Sequence, residues 1–314
     1  MEYSGKSLLE RNNLAIISMY AGDFAGAEKE ARTVMQQQPT YLSPYSTLAQ
    51  AQNGEGRLDD ARSTYAKLAG ISVRGASMAT LGLADILLYE GRANEAIATL
   101  DPAIATDLAN KDTNAAAAKA IALAQAHLIA GQNSAAVSAA ERAMSLDKEP
   151  WVLHAAGRIY AEVGQFGKAS SLASQMSASI DSDPQLYGKL LEGEVAFNHK
   201  DSKKAIASLN EAQKMSDSWL GHYLLARAYL EAGAFPEADG EIEACIKRKG
   251  EAAALYLDEA PTFRLFPPVY YYLGRAQEGL KSPAYAESYK TFLSIQEKGT
   301  GPLLADARHR TKKQ

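Results

Sequence analysis

Arginine and aromatic residues recur together in the second half of this chain. Trp151, His154 and Arg158 come first, then Tyr187 with Glu194, Tyr223 with Arg227, and Tyr271 with Arg275. A guanidinium fork matches a carboxylate through two parallel hydrogen bonds and stacks on aromatic faces. Tyr, Trp and Arg are also enriched at binding hot spots. The chemistry these residues suggest is recognition of an extended peptide, through acidic side chains or a C-terminal carboxylate. The competing reading is that Glu194 pairs with Arg158 and Arg227 across adjacent helices and only fixes their stacking.

Catalytic patterns are absent. Gly5-Lys6-Ser7 has the ending of a phosphate-binding loop, but the upstream glycine and the preceding strand are missing. None of His127, His154, His199, His222 and His309 pairs with another at helical spacing. Cys245 has no cysteine companion, so neither a metal site nor an internal disulfide is expected. There is no Gly-x-Ser-x-Gly elbow and no His-Glu-x-x-His helix. Acidic pairs such as Asp59-Asp60 fall at turns and helix starts, where they complement the helix dipole. The sequence therefore predicts no enzyme and no cofactor. A net charge of −4 argues against a nucleic-acid partner. No apolar stretch approaches the ~18 residues of a membrane span, and no signal peptide opens the chain.

The elements that position these residues follow from a repeat. Alanine recurs at Ala27, Ala61, Ala96, Ala136, Ala169, Ala205, Ala238 and Ala286, in steps of 33 to 48 residues. Ala or Gly stands 12 residues before each: Ala15, Ala49, Ala84, Ala124, Gly157, Gly193, Ala226 and Gly274. Such a period marks an array of one small unit. Each unit reads as two helices joined by a Gly-containing turn, as at Gly22, Gly56, Gly91, Gly164 and Gly233. Small residues at the crossing let the two backbones approach. The units begin near residues 8, 42, 77, 117, 150, 186, 219 and 267, within a single solenoid over 1–298.

The pattern resembles the tetratricopeptide repeat. The first unit matches with Leu14, Ala15, Gly22, Phe24, Ala27 and Pro39, and the fifth with Gly157, Tyr160, Gly164, Phe166 and Ala169. The seventh matches with Leu225, Ala226, Tyr229, Gly233, Phe235 and Ala238. The sixth departs most, with Glu192 at its Leu position and Lys200 at its turn. The resemblance implies an all-α right-handed superhelical solenoid, with the first helices lining a concave groove. It would place Arg158, Glu194, Arg227 and Arg275 in one groove-facing register, whose earlier members are Ile16, Gln50, Asp85 and Gln125. His154, Tyr223 and Tyr271 fall in a second register, and Trp151 and Tyr187 at the groove edge.

Two joints are long. One adds residues near Asp101–Asn114. The other, Gly250–Pro268, carries Tyr256, Leu257, Phe263, Leu265 and Phe266. So many apolar groups are expected to dock on the solenoid, as a plug between the last two units or as a lid over the groove. The tail 299–314 is expected to cap the last unit.

The run from Ser218 to Gly233, its continuation FPEADGEIEACIKRKGEA, and Asp258 to Leu280 resemble the repeat region of bacterial serine/threonine protein kinases. Gly82–Arg92 and Asn12–Phe24 resemble the same family. In such kinases the repeats follow the catalytic domain, and the abrupt start at Met1 suits a piece whose upstream part is missing. This chain holds neither the kinase Gly-rich loop nor its His-Arg-Asp loop. The resemblance implies a sensor or docking region with a protein or peptide partner. Self-association through the end repeats, a free-standing adaptor and a small-ligand sensor with 250–268 as lid remain alternatives.

Overall fold

The computed structural model of the chain describes residues 7–256 and 259–312. Gly5 and Lys6 of the Gly-Lys-Ser triplet, Leu257 and Asp258 of the insert, and the last two residues of the tail lie outside them. Among the described residues the protein is all-α, without a strand. The helices pair in order. Repeat one is α1 (Leu8–Tyr20) and α2 (Phe24–Gln37), and repeat two is α3 (Ser43–Gly54) and α4 (Leu58–Ala69). Repeat three is α5 (Val73–Tyr89) and α6 (Ala93–Ala109), and repeat four is α7 (Thr113–Ile129) and α8 (Asn133–Leu146). Then come α9 (Pro150–Glu162) with α10 (Phe166–Ser177), α11 (Ser182–Asn198) with α12 (Ser202–Met215), and α13 (Trp219–Ala232) with α14 (Phe235–Lys247). Repeat eight is α15 (Pro268–Gly279) and α16 (Tyr285–Ile295), followed by α17 (Pro302–Thr311).

Local chemistry sets the helix ends. Ser7 and Glu10 close a capping box on α1. Asp23, Asp112, Asp201 and Ser218 each accept a hydrogen bond from a backbone N–H of the first turn they cap. The marker alanines Ala27, Ala61, Ala96, Ala136, Ala169, Ala205 and Ala238 are all fully buried. Ala286, in the last repeat, is only partly so. A Cβ at Gly157, Gly193 or Gly274 would overlap Leu191, Leu209 or Tyr289. These positions hold the helices in close contact, and overpacking them costs about 1–3 kcal/mol. At the turn inside repeat six, Lys200 takes the left-handed backbone (φ 66) that glycine supplies in most other repeats.

The extra residues near Asp101–Asn114 are helix: α6 continues through Pro102 to Ala109. Asp107 on this extension meets Lys119 of α7 at 2.5 Å, with both side chains buried. Burial opposes the charge on Lys119, and Asp107 and Asp112 support it; the balance lies below the usual lysine value.

The chain divides into two compact units. The first comprises residues 1–86 and 248–265, the second residues 87–247 and 266–314. Most of the insert lies in the first unit, while Phe266 at its end lies in the second, against Trp219 of repeat seven and Tyr270 of repeat eight. The first-unit part packs on α1 and α3 through two short 3-10 turns, Glu251–Ala254 and Phe263–Leu265. Gly250 lies so close to the backbone of Met19, Tyr20 and Gly22 that no Cβ would fit. Lys249 donates to the Gly54 carbonyl (3.2 Å) and lies over the Phe24 ring. Arg264 reaches Asp85 of α5 at 2.8 Å, each side chain 2 % exposed. The reason is local: Asp85 is a buried carboxylate on the first-helix face, and no cation of its own repeats is bonded to it.

In the second unit the C-terminal segment is tied back to repeats three and four. Gln296 donates to the Tyr89 carbonyl (3.2 Å), and Gly299 abuts Gly91. Leu304 and Ala307 of α17 pack with Tyr271, Tyr289 and Phe292.

Candidate partner-binding site

Successive first helices of the second unit bring equivalent positions side by side. Arg158 (α9) donates to both oxygens of Glu194 (α11), from Nε at 2.9 Å and Nη2 at 3.3 Å. Glu194 has no exposed surface. Arg227 (α13) donates from Nη2 to Glu162 of α9 at 2.9 Å, and its Nη1 lies 3.6 Å from Glu194. The two arginines and two glutamates balance in charge.

Aromatic rings surround this lattice. The Phe197 ring lies 4.6 Å from the Arg227 guanidinium and the Tyr223 ring 5.8 Å from it, within cation–π range. Tyr223 stacks on Trp219 and meets Tyr272 edge-on. His154 stacks on Tyr187 with centroids 4.9 Å apart.

Burial shifts the titrations. It pushes His154 well below the usual histidine value, and the neighbouring Arg158 charge adds to this, so His154 is held neutral. Glu162 is pushed up by burial, but Arg227, Arg158 and Lys200 outweigh that and hold it below the carboxylate range. Burial also works against the charge on Arg227, yet the surrounding tyrosines and glutamates hold its value well above the ordinary one.

The residues singled out in the sequence divide three ways. Trp151, His154, Arg158, Glu194 and Tyr223 are buried, so their side chains are spent on packing and pairing. Tyr187 remains half-buried and Arg227 nine-tenths buried beside them. Tyr271 and Arg275 form a separate cluster. Tyr271 donates to Asp306 of α17 (2.7 Å), and Arg275 donates to the Tyr271 hydroxyl (3.2 Å). Arg310 bridges Asp306 and Glu278 there, at 2.6 and 2.5 Å. The repeat period alone did not point to Glu162, Tyr272 or Asp306. The first had a signal, since it lies one helical turn after Arg158.

Arg227 keeps spare donors. Its side chain is nine-tenths buried, and its Nε, without a partner among the described residues, is closed off from solvent. Its Nη1 is beyond hydrogen-bond distance of Glu194. Among the described residues no cluster of ligating side chains could hold a metal, and no helix is long and apolar enough to cross a membrane.

A family model described as Tetratricopeptide repeat matches residues 42–67, which span α3 and most of α4. No curated protein matches the sequence. Among solved structures, the APC/C hetero-tetramer Cut9-Hcn1 contains a similar chain. It is 15% identical, over 97% of this chain and 55% of that one, with a TM-score of 0.52. A tetratricopeptide repeat protein from Parabacteroides merdae is 14% identical over 98% of both chains, with a TM-score of 0.45. Pseudomonas aeruginosa pilF is 16% identical over 70% of this chain and 99% of its own, with a TM-score of 0.43. The matched repeat and the ordered helical hairpins agree with a tetratricopeptide-repeat fold.

Proposed function

We propose that this chain is a protein-interaction scaffold that holds an acidic or C-terminal carboxylate of a peptide partner at Arg227. One observation carries this reading. A guanidinium already ordered over Phe197, and braced by Glu162 and Glu194, leaves Nη1 outside hydrogen-bond distance of Glu194. Pre-ordering lowers the entropy a ligand must overcome, and a carboxylate can accept from Nη1. Tyr272, half-buried and edge-on to Tyr223, lies beside it as apolar contact surface. Arg275 belongs to the same proposal only at its edge, because the α17 cluster occupies it.

Peptide arrays test this, with each peptide present as a free acid and as its C-terminal amide. Binding that falls on amidation or on removal of acidic residues, and on Arg227→Lys, supports the site. A lysine keeps the charge but loses the planar fork.

The finer reading is the docking region of a bacterial signalling kinase, which rests on the resemblance of residues 218–280. An immunoblot of a native extract checks it. A band well above 33.7 kDa agrees with an attached domain, and a band at that mass contradicts it.

A further inference from the structure

Within the first unit, the face presented by the first helices already has an occupant. Residues 248–265 cross α1 and α3 and reach Asp85 of α5, touching the first helices of repeats one, two and three. The contacts resemble those of a bound peptide more than those of a helix in a bundle. Arg264 contributes both its guanidinium (2.8 Å) and its backbone N–H (3.3 Å) to one oxygen of Asp85. Thr262 fixes the turn before it: its hydroxyl donates to the Ala252 carbonyl (2.9 Å) and accepts from the Leu255 N–H (2.9 Å). Phe263 is buried beside them. Asp85 is the register equivalent of Arg158, Glu194 and Arg227, so both units carry a charged group at the same repeat position. In the first unit that group is a carboxylate, and a resident arginine answers it.

We propose that the first-helix face of repeats one to three is a second recognition surface, selective for an arginine-bearing turn, and that residues 248–265 occupy it as a resident ligand. The partner this surface fits carries a guanidinium next to an aromatic residue, as Phe263-Arg264 does. Such a partner competes with the strap. The proposal concerns the other unit and does not depend on the Arg227 reading.

The test uses a fluorescent peptide spanning Glu259 to Phe266, titrated into the full chain and into its Arg264→Lys and Asp85→Asn variants. Lysine keeps the charge but weakens the resident contact. Freeing the surface in a larger fraction of molecules raises apparent affinity in proportion. The peptide is expected to bind Arg264→Lys about tenfold more tightly than the parent chain, and to lose binding on Asp85→Asn. Saturating peptide should also speed amide exchange across 249–256 of the parent chain. Equal binding to both chains, binding to neither, or binding undiminished by Asp85→Asn overturns the proposal. So does an Arg264→Lys chain that fails to fold, since the strap would then belong to the core.

Discussion

Arg158 and Glu194 sit at the same position of neighbouring repeats and share two hydrogen bonds, of 2.9 and 3.3 Å, with Glu194 wholly buried. Removing one partner of a buried pair leaves the other charge uncompensated. Glu194→Ala is therefore expected to cost about 3–5 kcal/mol in denaturant unfolding. A loss below about 1 kcal/mol would mean that solvent reaches the arginines and the pair is not buried in solution.

Lys119 and Asp107 are a second buried pair, with both side chains nearly closed off from solvent. Lys119→Met alone should destabilise by about 3–5 kcal/mol. The double variant Lys119→Met/Asp107→Leu should recover most of the loss, since an apolar pair escapes the desolvation cost. Denaturation of the parent, Lys119→Met, Asp107→Leu and the double variant closes the double-mutant cycle. Additive losses would contradict a direct pairing.

Much of this was legible in the sequence. The alanine period gave the hairpins, because a small residue is needed wherever two helices cross closely. The Arg158–Glu194 pair could be foreseen, because a periodic array places equal registers side by side. Asp85 and Arg264 could not. They are 179 residues apart, and Arg264 lies in an insert outside the repeat phase. Tyr271 and Arg275 carried the right residue types, but their partner Asp306 lies in the tail, where periodicity says nothing. Burial was the other blind spot. Trp151, His154 and Tyr223 read as binding residues by type, yet neighbouring helices cover them.

His154 makes stability depend on pH. Its folded value lies well below the ordinary 6.5, so the unfolded chain takes up a proton that the folded chain refuses. The contribution is complete above pH 6.5 and is lost as pH falls below it, by about 1.4 kcal/mol per pH unit for one proton. Glu28, Glu162 and Asp306, whose values are lowered, lose their contributions only in the more acidic carboxylate range. Urea midpoints should therefore fall between pH 7 and pH 5, and His154→Phe should flatten that slope. An unchanged slope would place the titration elsewhere.

Lys200 stores a small strain. A residue with a Cβ at φ 66 costs roughly 1 kcal/mol relative to glycine there. Lys200→Gly should raise the melting temperature, even though it removes the exposed contact to Glu231 at 3.5 Å. The gain is expected to be about 0.5–1 kcal/mol. Gly233→Ala, at φ 72, should move the other way.

Arg227 is where the account is most exposed. The direct measurement is peptide binding to the parent chain and to Arg227→Lys, with thermal melting followed in parallel. Free-acid or acidic peptides should bind the parent chain and lose at least about tenfold in affinity for the variant, a difference of about 1.4 kcal/mol, while melting stays close to that of the parent. Unchanged binding with a lowered melting temperature would contradict it, and would make Arg227 a strut between helices.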